Sequence, residues 1–197
     1  MAQVTRMRID TKTALLDSAE RAARARGFDG FSYADLAEDV GIRKASIHHH
    51  FPTKAALSVA LMQRYAAEIK EALAALDATH PSGCARLAAL IDHYRAALNG
   101  GKTLCLCVSF STSRDSLPAD VITEIRSFRQ MVIGWLTRTF ELGQSDGTIA
   151  GVTMPDKEAA ATLPLLEGAQ LTARAQENLD LFENGVQLLR QRLANPS

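Results

Sequence analysis

Long apolar runs, strand-like alternation and an excess of charge of either sign are all missing from this 197-residue chain. No apolar stretch approaches the ~18 residues that span a bilayer, and the beginning of the chain carries no segment of signal-peptide type. The expected location is therefore the cytoplasm. Only three cysteines occur, Cys84, Cys105 and Cys107, and without a secretion signal they are expected as reduced thiols. Val, Ile and Thr hardly ever alternate at period two, which argues against a sheet. Six prolines and 12 glycines are few enough to leave long helices intact. Catalytic signatures are missing too: there is no Gly-x-Ser-x-Gly, no His-Glu-x-x-His and no paired cysteine–histidine spacing for zinc. Gly100-Gly101-Lys102-Thr103 imitates the end of a phosphate-binding loop, but Ala96 stands where its first glycine belongs and no strand precedes it. An enzyme is thus the remote alternative, and no cofactor is expected.

The charge balance is even, with 22 Lys and Arg against 22 Asp and Glu. Overall basicity, the simplest sign of a nucleic-acid partner, is therefore absent. The distribution is less even. Between Arg43 and Lys54 lie three basic residues, three histidines and no acid, and Arg6 and Arg8 precede the first expected helix. From Pro155 onward four basic residues meet six acidic ones, a net of −2. Screening over ~8–10 Å lets the local patch dominate what a polyanion encounters.

What the chain does have is helix. Apolar residues make up 47%, and runs such as AERAARARG and AEIKEALAALDA are strong helix formers. Period and caps predict an all-α fold of about nine helices. Their expected spans are Thr11 to Arg26, Ser32 to Gly41, Arg43 to His49, Thr53 to Asp77 and Ser82 to Leu98. Four more follow, Lys102 to Ser111, Ser116 to Leu142, Pro155 to Gln176 and Leu179 to Leu193. Pro118 suits a first turn. Pro164, inside the eighth, should kink that helix or mark a later start.

Ser32 to Phe51, SYADLAEDVGIRKASIHHHF, is the most informative stretch. Ser32 and Asp35 make a capping-box pattern, Gly41 tolerates the positive φ of a corner, and small Ala37 lets two helices approach. Leu36, Val40, Ile42 and Ile47 anchor the pair. Arg43, Lys44, Ser46, His48 and His49 are left on faces that packing does not need, as a helix-turn-helix presents them to a major groove. Arg43 and Lys44 can reach base edges or phosphates, and Ala45 is small enough to approach a thymine methyl. Ser32, Tyr33 and Lys54 sit at helix N-termini, where phosphate can be gripped. Successive helical positions point ~100° apart, so His48, His49 and His50 cannot close on one metal ion. His50 is expected to pack inward, and no metal is expected.

From Gly27 to Leu57 the chain resembles the DNA-binding head of the TetR family of one-component regulators. The resemblance rests on Gly27-Phe28, the Ser32 cap, LAEDVG at Leu36 to Gly41, KASIHHHF at Lys44 to Phe51, and Pro52-Thr53-Lys54 opening the next helix. One departure is His48, where the family more often has Tyr. Beyond the head the likeness is one of architecture and length. It implies a homodimer on a palindromic double-stranded DNA operator, released by a small effector, with repression the usual consequence. The expected domains are residues 1–54 for DNA binding and 55–197 for effector binding and dimerisation. Gly101 to Val108, GKTLCLCV, also looks like a region that carries an oxidant- or electrophile-responsive cysteine in some members. Cys105 or Cys107 therefore offers an alternative, thiol-based signal.

In the body, Leu179, Phe182, Val186, Leu189 and Leu193 form one apolar seam at helical spacing. Leu163, Leu166, Gln170 and Ala173 form another, beside small Gly168 and Ala169. Paired about a twofold axis, the two helices make a four-helix interface; alternatively both stripes cover the chain's own core. Helices four to seven would enclose the effector pocket, lined by Tyr65, Tyr94, Cys105, Phe110, Phe128, Met131, Trp135 and Phe140. Nothing in them names a ligand. Cys105 and Cys107 are expected just inside a helix N-terminus near Lys102, a setting that lowers a thiol pKa.

Overall fold

The structure is a computed structural model that describes residues 10–193; Arg6 and Arg8 lie outside them. Among the described residues nine α-helices follow one another without a strand. They are α1 (Thr11–Arg26), α2 (Tyr33–Val40), α3 (Lys44–His50), α4 (Lys54–Thr79), α5 (Gly83–Ala96), α6 (Leu106–Ser111), α7 (Ala119–Ser145), α8 (Pro155–Ala175) and α9 (Asp180–Arg190). None of them is long and apolar enough to cross a membrane.

Local chemistry sets most of the helix ends. Ser32, Thr53 and Ser82 each turn a hydroxyl back onto an amide of the first turn of α2, α4 and α5, satisfying donors that the helix cannot. Gly41 closes α2 in the left-handed region at φ 73°, the conformation that glycine adopts without a Cβ penalty. α3 begins at Lys44, with Arg43 as its extended N-cap.

Three expectations about the body need correction. α6 starts at Leu106, not Lys102. Asn99, Gly100 and Gly101 all take positive φ, and the Leu104 amide is captured by the Arg24 carbonyl of α1 at 3.0 Å. The chain is thereby held extended until Cys105. Pro118 precedes α7 as its N-cap instead of sitting within the first turn. α8 starts at Pro155 and continues through Pro164 without a break, so Pro164 does not mark a later start. The pyrrolidine ring lies on an exposed face beside exposed Ala160, where water can serve the carbonyl that loses its helical partner.

α7 and α8 form the centre of the body, with α9 packed on α8 and both α4 and α5 on α7. The head is joined to this body by more than α4. Phe28 meets Phe110 of α6 edge-on, with ring centroids 5.7 Å apart. The Ser109 hydroxyl donates to the Ala23 carbonyl at 2.6 Å. Arg24 donates from Nε to Leu104 O and from Nη2 to Ala97 O, both at 2.9 Å. Arg64 of α4 reaches back to Asp17 and Glu20 of α1. A single hydrophobic core runs through head and body.

Candidate nucleic-acid interface and internal cavity

The helix-turn-helix is built from its own side chains. The Ser32 amide and hydroxyl both donate to Asp35 Oδ2, at 2.6 and 2.7 Å, and these bonds hold the Asp35 carboxyl below its ordinary range. Leu36 and Ile47 are fully buried, Val40 and Ile42 half-buried, and the Ile42 amide donates to Ala37 O across the corner at 3.0 Å. With Ile47 pinned inward, Arg43, Lys44, Ala45, Ser46, His48 and His49 all stay exposed, and His50 is half-buried. The His48 Nδ1 lies 3.2 Å from the Pro52 carbonyl. Within the described residues no group of His, Cys, Asp and Glu is arranged to hold a metal ion.

Two residues expected on the DNA side are engaged elsewhere. Tyr33 is buried, and its hydroxyl donates to Phe51 O at 2.9 Å. Burial pushes its phenol up to about 12. It fastens α2 to the end of α3. Lys54 is half-buried: its Nζ donates to Phe31 O at 2.6 Å and lies 4.3 and 4.6 Å from the ring centroids of Phe31 and Phe28. Burial holds this ammonium below its usual pKa. Its charge still borders a shallow hollow shared with Phe31, Ser32, Tyr33, Lys44 and His48. The helix-terminal position was legible in the sequence; the inward turn of each side chain was not.

In the body a small internal cavity of about 20 Å³ lies between α4, α5, α7 and α8, room for roughly one water. Of the expected lining, Tyr65, Tyr94, Cys105 and Phe128 are on its wall. Phe110, Met131, Trp135 and Phe140 are not. Phe110 packs on the head, and Trp135 donates from its indole nitrogen to Asp77 at 3.1 Å. The expectation missed Gln170 and His93, together with Ile69, Leu73 and Leu76, whose spacing from Tyr65 continues one face of α4. Gln170 is fully buried and uses both ends of its amide: Oε1 accepts from the Cys105 amide at 3.2 Å and Nε2 donates to Tyr94 O at 2.6 Å. Tyr65, Ile69, Ala72, His93 and Ala97 also border an open groove toward α1.

The cysteines reverse the expected electrostatics. Lys102 is exposed and α6 begins after Cys105, while both thiols are buried. Desolvation raises the pKa of each, outweighing what a short helix end or a distant ammonium could lower. The Tyr65 hydroxyl donates to Cys105 Sγ at 3.3 Å. Cys107 lies against Glu167 at 4.0 Å, and Arg129 pairs with that carboxylate at 2.9 Å.

The expected pairing residues also need correction. Leu163, Leu166, Phe182, Val186 and Leu189 are buried within the single chain. Their stripe faces the chain's own core, and Leu179 is partly buried against that core. A different set of apolar residues is exposed: Leu165 and Leu171 on α8, Leu188 at 76% on α9, and Met154 before α8. Gly168 is half-buried, and a Cβ there would meet nothing within 4 Å.

Comparison with known proteins agrees with this geometry. The family of bacterial regulatory proteins described as tetR matches residues 15–61. The HTH-type transcriptional repressor NemR of Escherichia coli K12 is 26% identical over 193 residues, 95% of this chain and 96% of its own. A TetR-family regulator from Agrobacterium tumefaciens superposes with TM-score 0.88 at 28% identity, covering 93% of this chain and 97% of that one. The chain is thus similar to TetR-family transcriptional regulators. The reduced form of E. coli NemR superposes with TM-score 0.82 at 25% identity over 96% of this chain and all of that one. By these likenesses the chain is a DNA-binding transcriptional regulator.

Proposed function

We propose that this regulator is a homodimeric one-component repressor. Residues 1–54 bind a palindromic operator, and residues 55–197 pair two copies and hold a small effector. The observation that carries this reading is the continuity of α4. Its first residue, Lys54, is fastened to Phe31 in the head, and Tyr65, Ile69, Ala72, Leu73 and Leu76 on the same helix wall the cavity. At ~1.5 Å per residue, a helix of 26 residues is a lever roughly 39 Å long. An effector larger than one water has to widen the cavity, and α4 cannot yield without tilting the head. Two heads read successive major grooves when ~34–36 Å apart, so a tilt that changes this spacing lowers operator affinity.

Pairing is assigned to the outward faces of α8 and α9, where Leu165, Gly168, Leu171 and Leu188 leave apolar surface in water that a second copy would cover. Leu165→Glu combined with Leu188→Glu is expected to give a monomer by sedimentation, with native helical content and operator binding lost in band-shift assays. A dimer surviving both charges would place the pairing elsewhere.

Cys105 supports a second reading, in which the effector is an electrophile. Cys105 is on the cavity wall, with its sulfur against the Tyr65 hydroxyl, so an adduct would enlarge a side chain where there is little space. Release by electrophiles persisting unchanged in Cys105→Ser and Cys107→Ser proteins would remove this reading.

A further inference from the structure

The internal cavity between α4, α5, α7 and α8 has a wall without charge. Ile69, Leu73, Leu76, Leu90, Phe128 and Val132 supply apolar carbon. Among the described residues no carboxylate, guanidinium or ammonium lines it. His93 stands where the cavity meets the groove toward α1. Desolvation, with the nearby Arg24 guanidinium, holds its imidazole below its ordinary pKa. The ion pair of Glu167 and Arg129 lies beyond Cys107, outside this wall. An ion entering such a space gives up its hydration and meets no opposite charge.

Two of the buried polar side chains on the wall are spent. The Tyr65 hydroxyl donates to Cys105 Sγ at 3.3 Å, and Gln170 ties the Cys105 amide to the Tyr94 carbonyl. The Tyr94 side chain is not. The residue is only 6% exposed, and among the described residues its hydroxyl makes no hydrogen bond. Tyr65, Tyr94 and Cys105 act on one another electrostatically, which sets their polar ends around one space. Burial drives the Tyr94 phenol well above its ordinary pKa, so it keeps its hydrogen. A buried hydroxyl without a partner carries a desolvation cost that an acceptor in the cavity would offset.

We infer that the effector is an uncharged, largely apolar molecule carrying a hydrogen-bond acceptor oxygen, and that Tyr94 selects it by donating to that oxygen. The inference rests on the reading that this cavity holds the effector. The apolar wall takes the carbon skeleton and gives affinity without direction. The phenol adds direction, because a donor in a desolvated site rewards an acceptor and gains nothing from a hydrocarbon of the same shape. A charged analogue is refused for want of a counter-charge. The open groove shares Tyr65, Ile69, Ala72, His93 and Ala97 with the cavity and gives the molecule its way in.

Probes of similar shape and different chemistry test it: acetophenone, ethylbenzene, benzoate and the 1-phenylethylammonium ion. Calorimetric titration of the full-length protein at neutral pH should show acetophenone binding about fivefold or more tighter than ethylbenzene. Neither ion should bind at concentrations where acetophenone saturates. Tyr94→Phe keeps the ring and removes the hydroxyl. It should bind acetophenone and ethylbenzene within about twofold of each other, and its melting temperature should not fall, since the hydroxyl supports no other group. Ala72→Trp, on the wall shared by cavity and groove, should abolish binding of both neutral probes. Helical circular dichroism checks that each variant is folded. Binding of neither neutral probe, or binding that Ala72→Trp leaves unchanged, would overturn the cavity as the effector site and this inference with it. Where Ala72→Trp does abolish binding, three results would overturn the inference alone. These are equal affinity of wild type for the two neutral probes, a preference that Tyr94→Phe retains, or an ion bound as tightly as acetophenone.

Discussion

The head and the body hold their polar groups in opposite ways. Within the helix-turn-helix many of the partners are near in sequence: Ser32 with Asp35, Ile42 with Ala37, His48 with Pro52. In the body they come from far apart: Gln170 with Cys105 and Tyr94, Trp135 with Asp77, Arg129 with Glu167. Local partners allow a short segment to define its own shape and leave an entire face free for another molecule. Long-range partners lock helices against each other around a small cavity, so a change on one wall is felt on the next.

The strongest challenge to this contrast is Phe110→Ala, which removes a fully buried ring lying between Phe28 and the body. A loss of ~3–5 kcal/mol is expected, with head and body still melting in one calorimetric transition. Two separated transitions would show that the head folds apart from the body. Gln170→Leu comes next. It strands the Cys105 amide and the Tyr94 carbonyl, at about 1–3 kcal/mol for each buried group left unsatisfied. Urea denaturation followed by Trp135 fluorescence measures it, and a shift below half a unit of urea molarity would deny the amide its strut role.

On the head, Arg43→Ala should weaken specific binding by roughly 1–3 kcal/mol while changing stability by less than ~0.5 kcal/mol. Lys54→Ala should do the reverse in part. It costs about 1 kcal/mol of stability because its ammonium sits on Phe28, Phe31 and a carbonyl, and it weakens specific and nonspecific binding alike. Binding isotherms at several salt concentrations, paired with thermal melts, distinguish the two.

Ser32→Ala should have the smallest effect, about 1 kcal/mol for a lost cap. Its pH dependence has a definite sign. The folded Asp35 carboxyl titrates below its unfolded value, so the stabilisation is present above the unfolded pKa and is lost as pH falls through the folded one. The difference between wild type and Ser32→Ala in thermal melts should shrink in acid. A difference constant into strong acid would mean that the Asp35 half of the box contributes nothing.

Much of this was legible in the sequence, unequally. The caps at Ser32, Thr53 and Ser82, the corner at Gly41 and the exposed face of α3 depend on neighbours three or four residues away. Tyr33 misled because a helix N-terminus offers a phenol two directions, and the Phe51 carbonyl that draws it inward lies 18 residues on. α6 was drawn four residues too early because Arg24 claims the Leu104 amide from another helix. The cavity was half legible. Tyr65 and Phe128 sit on inward faces, whereas Gln170 gave no apolar signal and Trp135 found a separate partner in Asp77.

By itself the sequence determined the number of helices, where most of them start, and which side of α3 stays free. Each of those is settled by hydrogen bonds and periodicity within a turn or two. The tertiary structure decided which stripe of α8 and α9 turns inward, leaving Leu165, Leu171 and Leu188 outside. It also decided that Cys105 and Cys107 are buried, where desolvation raises the pKa of each. Both outcomes depend on burial, and burial belongs to contacts between distant segments, which no local pattern can carry.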